Sequence, residues 1–275
     1  MGVHPWCGTK ITNMSLKISN IQKSFGKTEA VSNISFEAAS GKITGLIGPN
    51  GSGKTTTLNI IASIITPDSG EVSLFEIKQS NNPELLKAQI GYVPDETTIA
   101  YKLTGREFLK LNLRLFGAFD EAHRKLAYEL CDLFQLADRL DDFTDEYSHG
   151  MLKKLLLISA ISHAPKLLIL DEPTNGLDPE MVMLFEALIK EYASRGNIAL
   201  LSTHHLEFAA KFCDKVVLVQ KGRIIAEGSP QELKIKTGQP SFEKAAFNIF
   251  NFNDKLEQLK KIFSRLPISN SVAQK

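Results

Sequence analysis

The sequence predicts an α/β fold, and three patterns support that prediction. Two short apolar segments, Ile43 to Ile47 and Leu167 to Leu170, suit parallel strands that are buried on both faces. Between Pro94 and Pro165 the apolar spacing is helical instead. Thr104 and Glu107 stand where the N-cap and third residue of a helix form a capping box. Buried parallel strands combined with helices are typical of this fold class.

Length, charge and composition exclude several classes of protein. The chain has 275 residues and a formal net charge of +1, so its charge gives no reason to expect nucleic acid as a partner. Cys7, Cys131 and Cys213 lie far apart without CxxC spacing, which argues against disulfides and zinc. No apolar run reaches the roughly 18 residues that a membrane-spanning helix needs. We therefore expect a soluble, cytoplasmic chain in which residues 1–14 are an N-terminal extension.

A glycine-rich stretch follows the first buried segment and matches the phosphate-loop pattern G-x-x-x-x-G-K-[ST]. Its glycines let backbone amides approach a phosphate, and the next helix, expected to run to about Ile65, adds its positive N-terminus. Lys54 is expected to reach the β- and γ-phosphates, and Thr55 to bind Mg²⁺. The residues expected to contact nucleotide are Gly48, Pro49, Asn50, Gly51, Ser52, Gly53, Lys54, Thr55 and Thr56. A chance glycine-rich turn is the alternative, and the flanking strand and helix argue against it.

Two acidic residues, Asp171 and Glu172, directly follow the second buried segment. At the carboxyl end of a parallel strand, Asp171 can support Mg²⁺ through a water molecule and Glu172 can polarise the attacking water. Acidic residues after a strand are common in loops and mean little alone. Together with the phosphate loop, this pair predicts a nucleotide hydrolase in which Glu172 and Lys54 are catalytic.

Six motifs in this order resemble the ATP-binding subunit of an ATP-binding-cassette (ABC) transporter: "GPNGSGKTTT", "IGYVPDE", "YSHGM", "LLILDEP", "GLDP" and "STHHLE". The resemblance implies a RecA-like P-loop core over residues 15–230, with an antiparallel β subdomain and an inserted helical subdomain at about 96–165. It also implies a head-to-tail dimer, of two copies or of two related subunits, that closes over ATP. Residues 231–275 are expected to form a C-terminal helical extension.

The resemblance also implies roles for single residues. Phe25 stands where the family has an aromatic side chain that stacks on adenine, although a core phenylalanine is the alternative. His204 stands where the family has a histidine that contacts the γ-phosphate. Asp178 matches the loop that crosses the dimer interface. Ser148 and Gly150 belong to the signature segment, which caps the γ-phosphate bound to the other subunit.

Two motifs depart from the family pattern. In the signature, usually Leu-Ser-Gly-Gly-Gln, His149 replaces the first glycine and Met151 the glutamine. The serine and the helix N-terminus remain, so we expect a working signature in which Ser148 matters more than His149. Asp95 replaces a glutamine that reaches Mg²⁺. Aspartate suits a hard cation but is shorter and negatively charged, so we expect it to act through a water, or Glu96 to share the role.

The motifs together predict a Mg²⁺-dependent ATPase that drives separate integral membrane permease subunits from the cytoplasmic face. The acidic replacement and the "SHGM" signature resemble exporter-type cassettes whose membrane subunits are encoded separately. A cassette ATPase without a transport role, such as a soluble assembly ATPase, is the alternative. A nucleotide sensor without enzymatic activity is a third possibility, which the intact acidic pair disfavours.

Overall fold

Ten strands and ten α-helices lie within residues 15–96 and 102–264, which are the residues described by this computed structural model, with backbone alone for 253–256. The strands are β1 Ser15–Phe25, β2 Thr28–Ala39, β3 Ile43–Ile47, β4 Ser69–Leu74, β5 Ile77–Lys78, β6 Ile90–Val93, β7 Leu167–Asp171, β8 Ile198–Thr203, β9 Lys215–Gln220 and β10 Arg223–Gly228. The helices are α1 Lys54–Ile61, α2 Pro83–Lys87, α3 Gly105–Leu115, α4 Glu121–Leu133, α5 His149–Ser162, α6 Pro179–Ser194, α7 Leu206–Phe212, α8 Pro230–Thr237, α9 Phe242–Ile249 and α10 Phe252–Phe263. The predicted extension at residues 1–14 lies outside the described residues.

The parallel strands of the central sheet all have their carboxyl ends on the same side of the sheet, its carboxyl edge. Its strand order is β10-β9-β3-β8-β7-β6, in which β10 is antiparallel to β9 and the other neighbours are parallel. Every residue of β3, β7 and β8 is buried, because these strands are apolar and both faces of the sheet are covered. The segments that follow β3, β6, β7 and β8 therefore meet at this edge.

Two hydrophobic clusters cover the two faces of the central sheet. Successive side chains of a strand point to opposite faces, so Leu200 and Leu201 of β8 belong to different clusters. The antiparallel sheet, of order β2-β1-β4-β5, and Leu58 of α1 pack on the first face. Ile158 of α5 and Phe185 of α6 pack on the second face. This arrangement confirms the predicted α/β class with an antiparallel β subdomain.

Residues 105–162, between β6 and β7, are largely helical, and the predicted capping box lies at their start. Thr104 is the N-cap of α3: its hydroxyl accepts a hydrogen bond from the Glu107 amide at 3.2 Å. The Glu107 carboxylate in turn accepts one from the Thr104 amide at 3.0 Å. Helices α3, α4 and α5 occupy this region, while the exact limits of the helical subdomain stay a prediction.

The helix after the phosphate loop is shorter than predicted. It ends at Ile61, not near Ile65. Ser63 has a left-handed φ of 58°, and the Ile64 amide donates to the carbonyl of Asn59 at 2.9 Å. This is the pattern that closes a helix C-terminus, here with a serine where glycine is usual, so proline at position 67 is not what ends the helix.

The C-terminal segment is helical where it is described, as α8, α9 and α10. Phe242 of α9 is buried, but Leu259 and Phe263 of α10 are 49% and 62% exposed. In the sequence, Leu256, Leu259, Phe263 and Leu266 are spaced to form one helical stripe, expected to pack on the subunit itself or on its dimer partner. Leu259 and Phe263 are not buried on this subunit, and packing on a dimer partner stays a prediction. The side chain of Leu256 and residue Leu266 lie outside the described part of the chain. No helix in the described ranges is long and apolar enough to cross a membrane.

Candidate active site

The loop between β3 and α1 leaves no room for side chains at two of its glycines. A Cβ on Gly48 would lie 2.2 Å from the carbonyl oxygen of Val219, and one on Gly53 would lie 2.4 Å from that of Ala30. Gly53 also has a φ of +101°, which favours glycine. The Ser52 hydroxyl is buried and has no hydrogen-bond partner among the described residues. Such an atom needs a partner that the protein does not supply, which fits a bound phosphate.

Lys54 places a positive charge at the centre of this loop. Its side chain is 6% exposed, and its Nζ donates to the carbonyls of Gly48 at 2.9 Å and Pro49 at 3.3 Å. The same atom lies 3.8 Å from Oε1 of Glu172. Burial lowers the pKa of the Lys54 ammonium, and the carboxylates of Glu172 and Asp171 oppose that shift.

Ser202, which the sequence analysis did not single out, holds both acidic residues at the end of β7. Its fully buried hydroxyl donates to Oδ1 of Asp171 and accepts from the backbone amide of Glu172 at 3.1 Å. Burial raises the pKa of Asp171, and hydrogen bonds from Ser202 and Thr55 counteract that rise. In the sequence, the only sign of this role is that Ser202 is a polar residue within the largely apolar segment of β8, "IALLST".

Glu172 has one carboxylate oxygen engaged and one without a partner. Oε1 lies 2.9 Å from Nδ1 of His204, which follows β8, whereas the buried Oε2 has no partner in the described residues. Glu172 has a left-handed φ of 44°, which is uncommon for a residue other than glycine. The His204 side chain is 42% exposed, and its ring packs 4.1 Å from that of His205. A buried acid with an unpartnered oxygen suits a general base.

A cleft of about 520 Å³ lies over the phosphate loop. Asp95, Glu172 and the phosphate loop from Asn50 to Thr56 line it, and so do residues that the sequence analysis did not predict. Those residues are Thr28, Glu29 and Ala30 of β2, and Lys221 and Gly222 of the β9–β10 hairpin. The hairpin is tied to the loop because the Gly222 amide donates to the Ser52 carbonyl at 2.9 Å.

Phe25 stands at the end of β1, next to this cleft. It pairs in register with Thr28, which lines the cleft. Its ring is 49% exposed, and the Nζ of Lys23 lies 5.8 Å from the ring centroid. An exposed aromatic face beside the cleft is available for stacking, so Phe25 is not a core residue.

The signature residues form the start of α5. Ser148 is the N-cap, and its hydroxyl accepts a hydrogen bond from the Met151 amide at 3.3 Å. Gly150 approaches the carbonyl of Gly176 so closely that a Cβ would lie 2.9 Å from that oxygen. His149 is exposed, and its ring lies against Gly176, where an added Cβ would meet the ring at 2.4 Å. The signature therefore contacts the loop that follows Glu172.

Asp178 ends that same loop and caps α6, because its carboxylate accepts from the Met181 amide at 2.9 Å. Asp178, Ser148 and Gly150 do not line the cleft of their own chain. Asp95 does, and its Oδ1 lies 3.3 Å from Nδ2 of Asn175.

The oxygen ligands at the carboxyl edge of the central sheet suit Mg²⁺. Thr55 lies close enough to Asp171 to lower the pKa of that carboxyl, and Asp95 lines the same cleft as Thr55. Within residues 15–96 and 102–264, no group of three or more His, Cys, Asp and Glu side chains forms a metal centre. Mg²⁺ is commonly held by one or two carboxylates together with waters and substrate phosphates, and these residues fit that pattern.

Comparison with known proteins identifies the family. Residues 31–175 match the family model described as ABC transporter. The chain is 36% identical over 214 residues to "Nod factor export ATP-binding protein I" of Burkholderia orbicola (strain AU 1054), covering 78% of this chain and 70% of that protein. The chain belongs to the ABC transporter family. A protein of the same name from Rhizobium sp. (strain N33) is 33% identical over 223 residues, covering 81% of this ABC protein and 73% of the relative.

Solved ABC structures share the fold. The structure of an ATP-binding subunit of an ABC transporter has a TM-score of 0.81 and 28% identity, covering 86% of this chain and 99% of that one. A dimeric bacterial ABC transporter cassette has a TM-score of 0.71 and 25% identity, covering 78% and 98%. The predicted ABC ATPase fold is therefore confirmed. This ABC protein binds ATP and is an ATPase.

Proposed function

We propose that this ABC protein hydrolyses ATP in a nucleotide-sandwich dimer and thereby drives export through separate integral membrane subunits. Its relatives are named "Nod factor export ATP-binding protein I", which supports export as the direction of transport. A dimeric cassette among the similar structures supports the dimer. The chain would work at the cytoplasmic face of the membrane, held there by its partners. The transported substance would be selected by those partners.

The single observation that supports hydrolysis best is the environment of Glu172. His204 and Lys54 engage Oε1, at 2.9 and 3.8 Å, while the buried Oε2 remains without a partner in the described residues. Oε2 would accept a proton from the attacking water as its oxygen bonds to the γ-phosphorus. The bond from that phosphorus to the β–γ bridging oxygen breaks, and ADP leaves. Lys54 and His204 would stabilise the negative charge on the transferred group.

The remaining roles follow the geometry of the cleft. Bound Mg²⁺ supplies charge neutralisation to the β- and γ-phosphates. Thr55 and Asp171 would hold it directly or through water, and Asp95 through a water. The backbone amides and the unpartnered Ser52 hydroxyl would hold phosphate oxygens.

The nucleotide base and the dimer involve residues at the rim of the cleft and outside it. Phe25 would stack on adenine, because its exposed ring stands beside Thr28 in the cleft wall. Ser148 and Gly150, which lie outside the cleft of their own chain, would contact the γ-phosphate bound by the other subunit. Asp178 would lie at the interface between the two subunits.

The substitution Glu172→Gln tests the catalytic assignment. We expect ATP hydrolysis to fall by at least about 100-fold, because the amide cannot act as a general base. ATP binding should remain, so ATP-bound dimers should accumulate in size-exclusion chromatography. Glu186→Gln, at a half-buried glutamate of α6 outside the cleft, is the matched control and should retain wild-type turnover. Wild-type turnover in Glu172→Gln would remove Glu172 as the base.

Affinity purification of the tagged chain from mild-detergent extracts tests the transport role, with mass spectrometry of the proteins that accompany it. Recovery of a polytopic membrane protein, weakened by substitutions at Asp95 and Glu96, is the expected result. Recovery of soluble assembly proteins alone would reject the transporter role and leave the ATPase chemistry intact.

A further inference from the structure

Lys153 is a buried cation at the junction of three chain segments. It lies on α5, the helix that Ser148 caps, and its side chain is 2% exposed. Its Nζ donates to the carbonyls of Pro94 at 3.2 Å and Asp95 at 3.4 Å, in the loop after β6. It also donates to the carbonyl of Asp171 at the end of β7, at 3.4 Å. These three acceptors match the three donors of an ammonium group.

The Asp95 carboxylate lies between Lys153 and Asn175. Its Oδ1 is 3.7 Å from Nζ of Lys153 and 3.3 Å from Nδ2 of Asn175. Burial lowers the pKa of Lys153, and the carboxylates of Asp95 and Asp171 oppose that shift. The Asp95 side chain is 45% exposed and lines the cleft, so its negative charge faces the space where a polyphosphate would bind. An opposite charge at this distance offsets part of that repulsion.

We propose that Lys153 is a positioning residue whose ammonium group neutralises the Asp95 carboxylate beside the phosphate-binding cleft. The proposal rests on the proposed function, because it explains how an ATP site tolerates an acidic residue at position 95. The buried lysine charge would offset the negative charge that Asp95 places beside the phosphates. Because Lys153 and Ser148 share α5, the pair also links the signature serine to the loop of Asp95.

In a second interpretation, Lys153 is purely structural: it holds the three backbone carbonyls together, and the Asp95 carboxylate does not affect this role. The two interpretations differ in what happens when both charges are removed. If the role is purely structural, the defect caused by Lys153→Gln should remain when Asp95 is also changed. A neutralising cation is no longer needed once the carboxylate is gone, so the second substitution restores function.

The first measurement is a double-substitution cycle in ATP affinity, using Lys153→Gln, Asp95→Gln and the combination, with and without Mg²⁺. We expect Lys153→Gln to weaken ATP binding by at least about tenfold, because it leaves the Asp95 charge uncompensated beside the phosphates. The double variant should recover most of that loss. The control Lys154→Gln, at the adjacent half-buried lysine, should stay within about twofold of wild type. Losses that simply multiply in the double variant would overturn the proposal.

The second measurement follows thermal unfolding of the same variants without nucleotide. Asp95→Gln removes a carboxylate that faces a buried ammonium, so the midpoint should fall by about 3 °C or more. Because the Asp95 side chain is 45% exposed, this variant should fold even if Lys153→Gln does not. An unchanged or raised unfolding midpoint in Asp95→Gln would show that the Asp95–Lys153 ion pair is not stabilising, and it would overturn the proposal. This readout requires no ATP, so it separates failure of the pair from failure of the proposed function.

Discussion

Replacing Ser202 by alanine would remove one hydroxyl that bonds both the Asp171 carboxylate and the backbone amide of Glu172. The hydroxyl donates to Oδ1 of Asp171 and accepts from the amide of Glu172 at 3.1 Å. Ser202 is fully buried, and Asp171 and Glu172 are 1% and 6% exposed. Alanine would therefore leave one carboxylate oxygen and one amide short of a partner, in a place that water does not reach easily.

The expected loss of stability follows from these two groups. Each buried polar group left unsatisfied costs roughly 1–3 kcal/mol, so we expect the loss of two partners to lower the free energy of unfolding by about 2–6 kcal/mol. For a chain of this size each kcal/mol lowers the melting temperature by roughly 2–4 °C, which gives a drop of about 4–24 °C. Loss of the Ser202 hydrogen bond should also raise the pKa of Asp171 further, which moves the acid limb of the activity profile to higher pH.

The measurement is urea and thermal unfolding of Ser202→Ala beside Ser162→Ala. Ser162 is equally buried, but its hydroxyl donates to the Ile158 carbonyl at 2.5 Å within helix α5. The backbone ladder of the helix already supplies that carbonyl with a donor, so the control should lose less than about 1 kcal/mol. ATP affinity in the presence of Mg²⁺ should fall in Ser202→Ala and stay unchanged in the control.

Equal losses in the two variants would refute this reasoning, because burial alone would then explain both. A loss below about 1 kcal/mol in Ser202→Ala would refute it too, since the two groups would then have found other partners.

Two further predictions concern the phosphate loop and the junction of α5 with β6. Gly48→Ala should abolish measurable ATP binding, because its Cβ would lie 2.2 Å from the Val219 carbonyl. Gly117→Ala, with nothing within 4 Å, should lose some stability because of its left-handed φ of +67° but keep ATP binding in the same titration. Burial lowers the pKa of His163, which stacks on Phe116 at 3.8 Å, so the unfolded chain binds a proton first as the pH falls below 6.5. Stability should then decline toward acid pH by up to about 1.4 kcal/mol per pH unit, and less steeply in His163→Phe, as urea unfolding at pH 5, 6 and 7 would measure. Equal slopes would contradict the assignment.

The central sheet was predictable because its strands are apolar runs that end in chemically distinctive residues. β3 matches the predicted Ile43 to Ile47, and β7 extends the predicted Leu167 to Leu170 by Asp171 alone. A strand buried on both faces tolerates little but apolar residues, so burial is visible in the sequence. The capping box at Thr104 was predictable for a similar reason, since both of its partners lie within one helical turn.

Contacts between distant segments were not predictable. Ser202 reaches Asp171 across 31 positions, and a serine at the end of a strand gives no sign of such a bond. Lys153 was missed because a lysine in a helix is usually on the surface, and its burial follows from carbonyl groups that other segments supply. The early end of α1 depends on a left-handed Ser63, which has no sequence signature comparable to glycine.

The two departures from the family motifs are connected through one loop. His149 and Gly150 lie against Gly176, and Asp95 contacts the preceding residue, Asn175. Gly176 has a φ of +77° and lies so close to the His149 ring that a Cβ would meet it at 2.4 Å, so this loop residue cannot readily change while His149 is present. Restoring the usual glycine at 149 would open space on one side of the loop, and restoring glutamine at 95 would alter the other. His149 and Asp95 are therefore both compatible with the loop of Asn175 and Gly176. Because both contact this loop, their effects on function should be tested together.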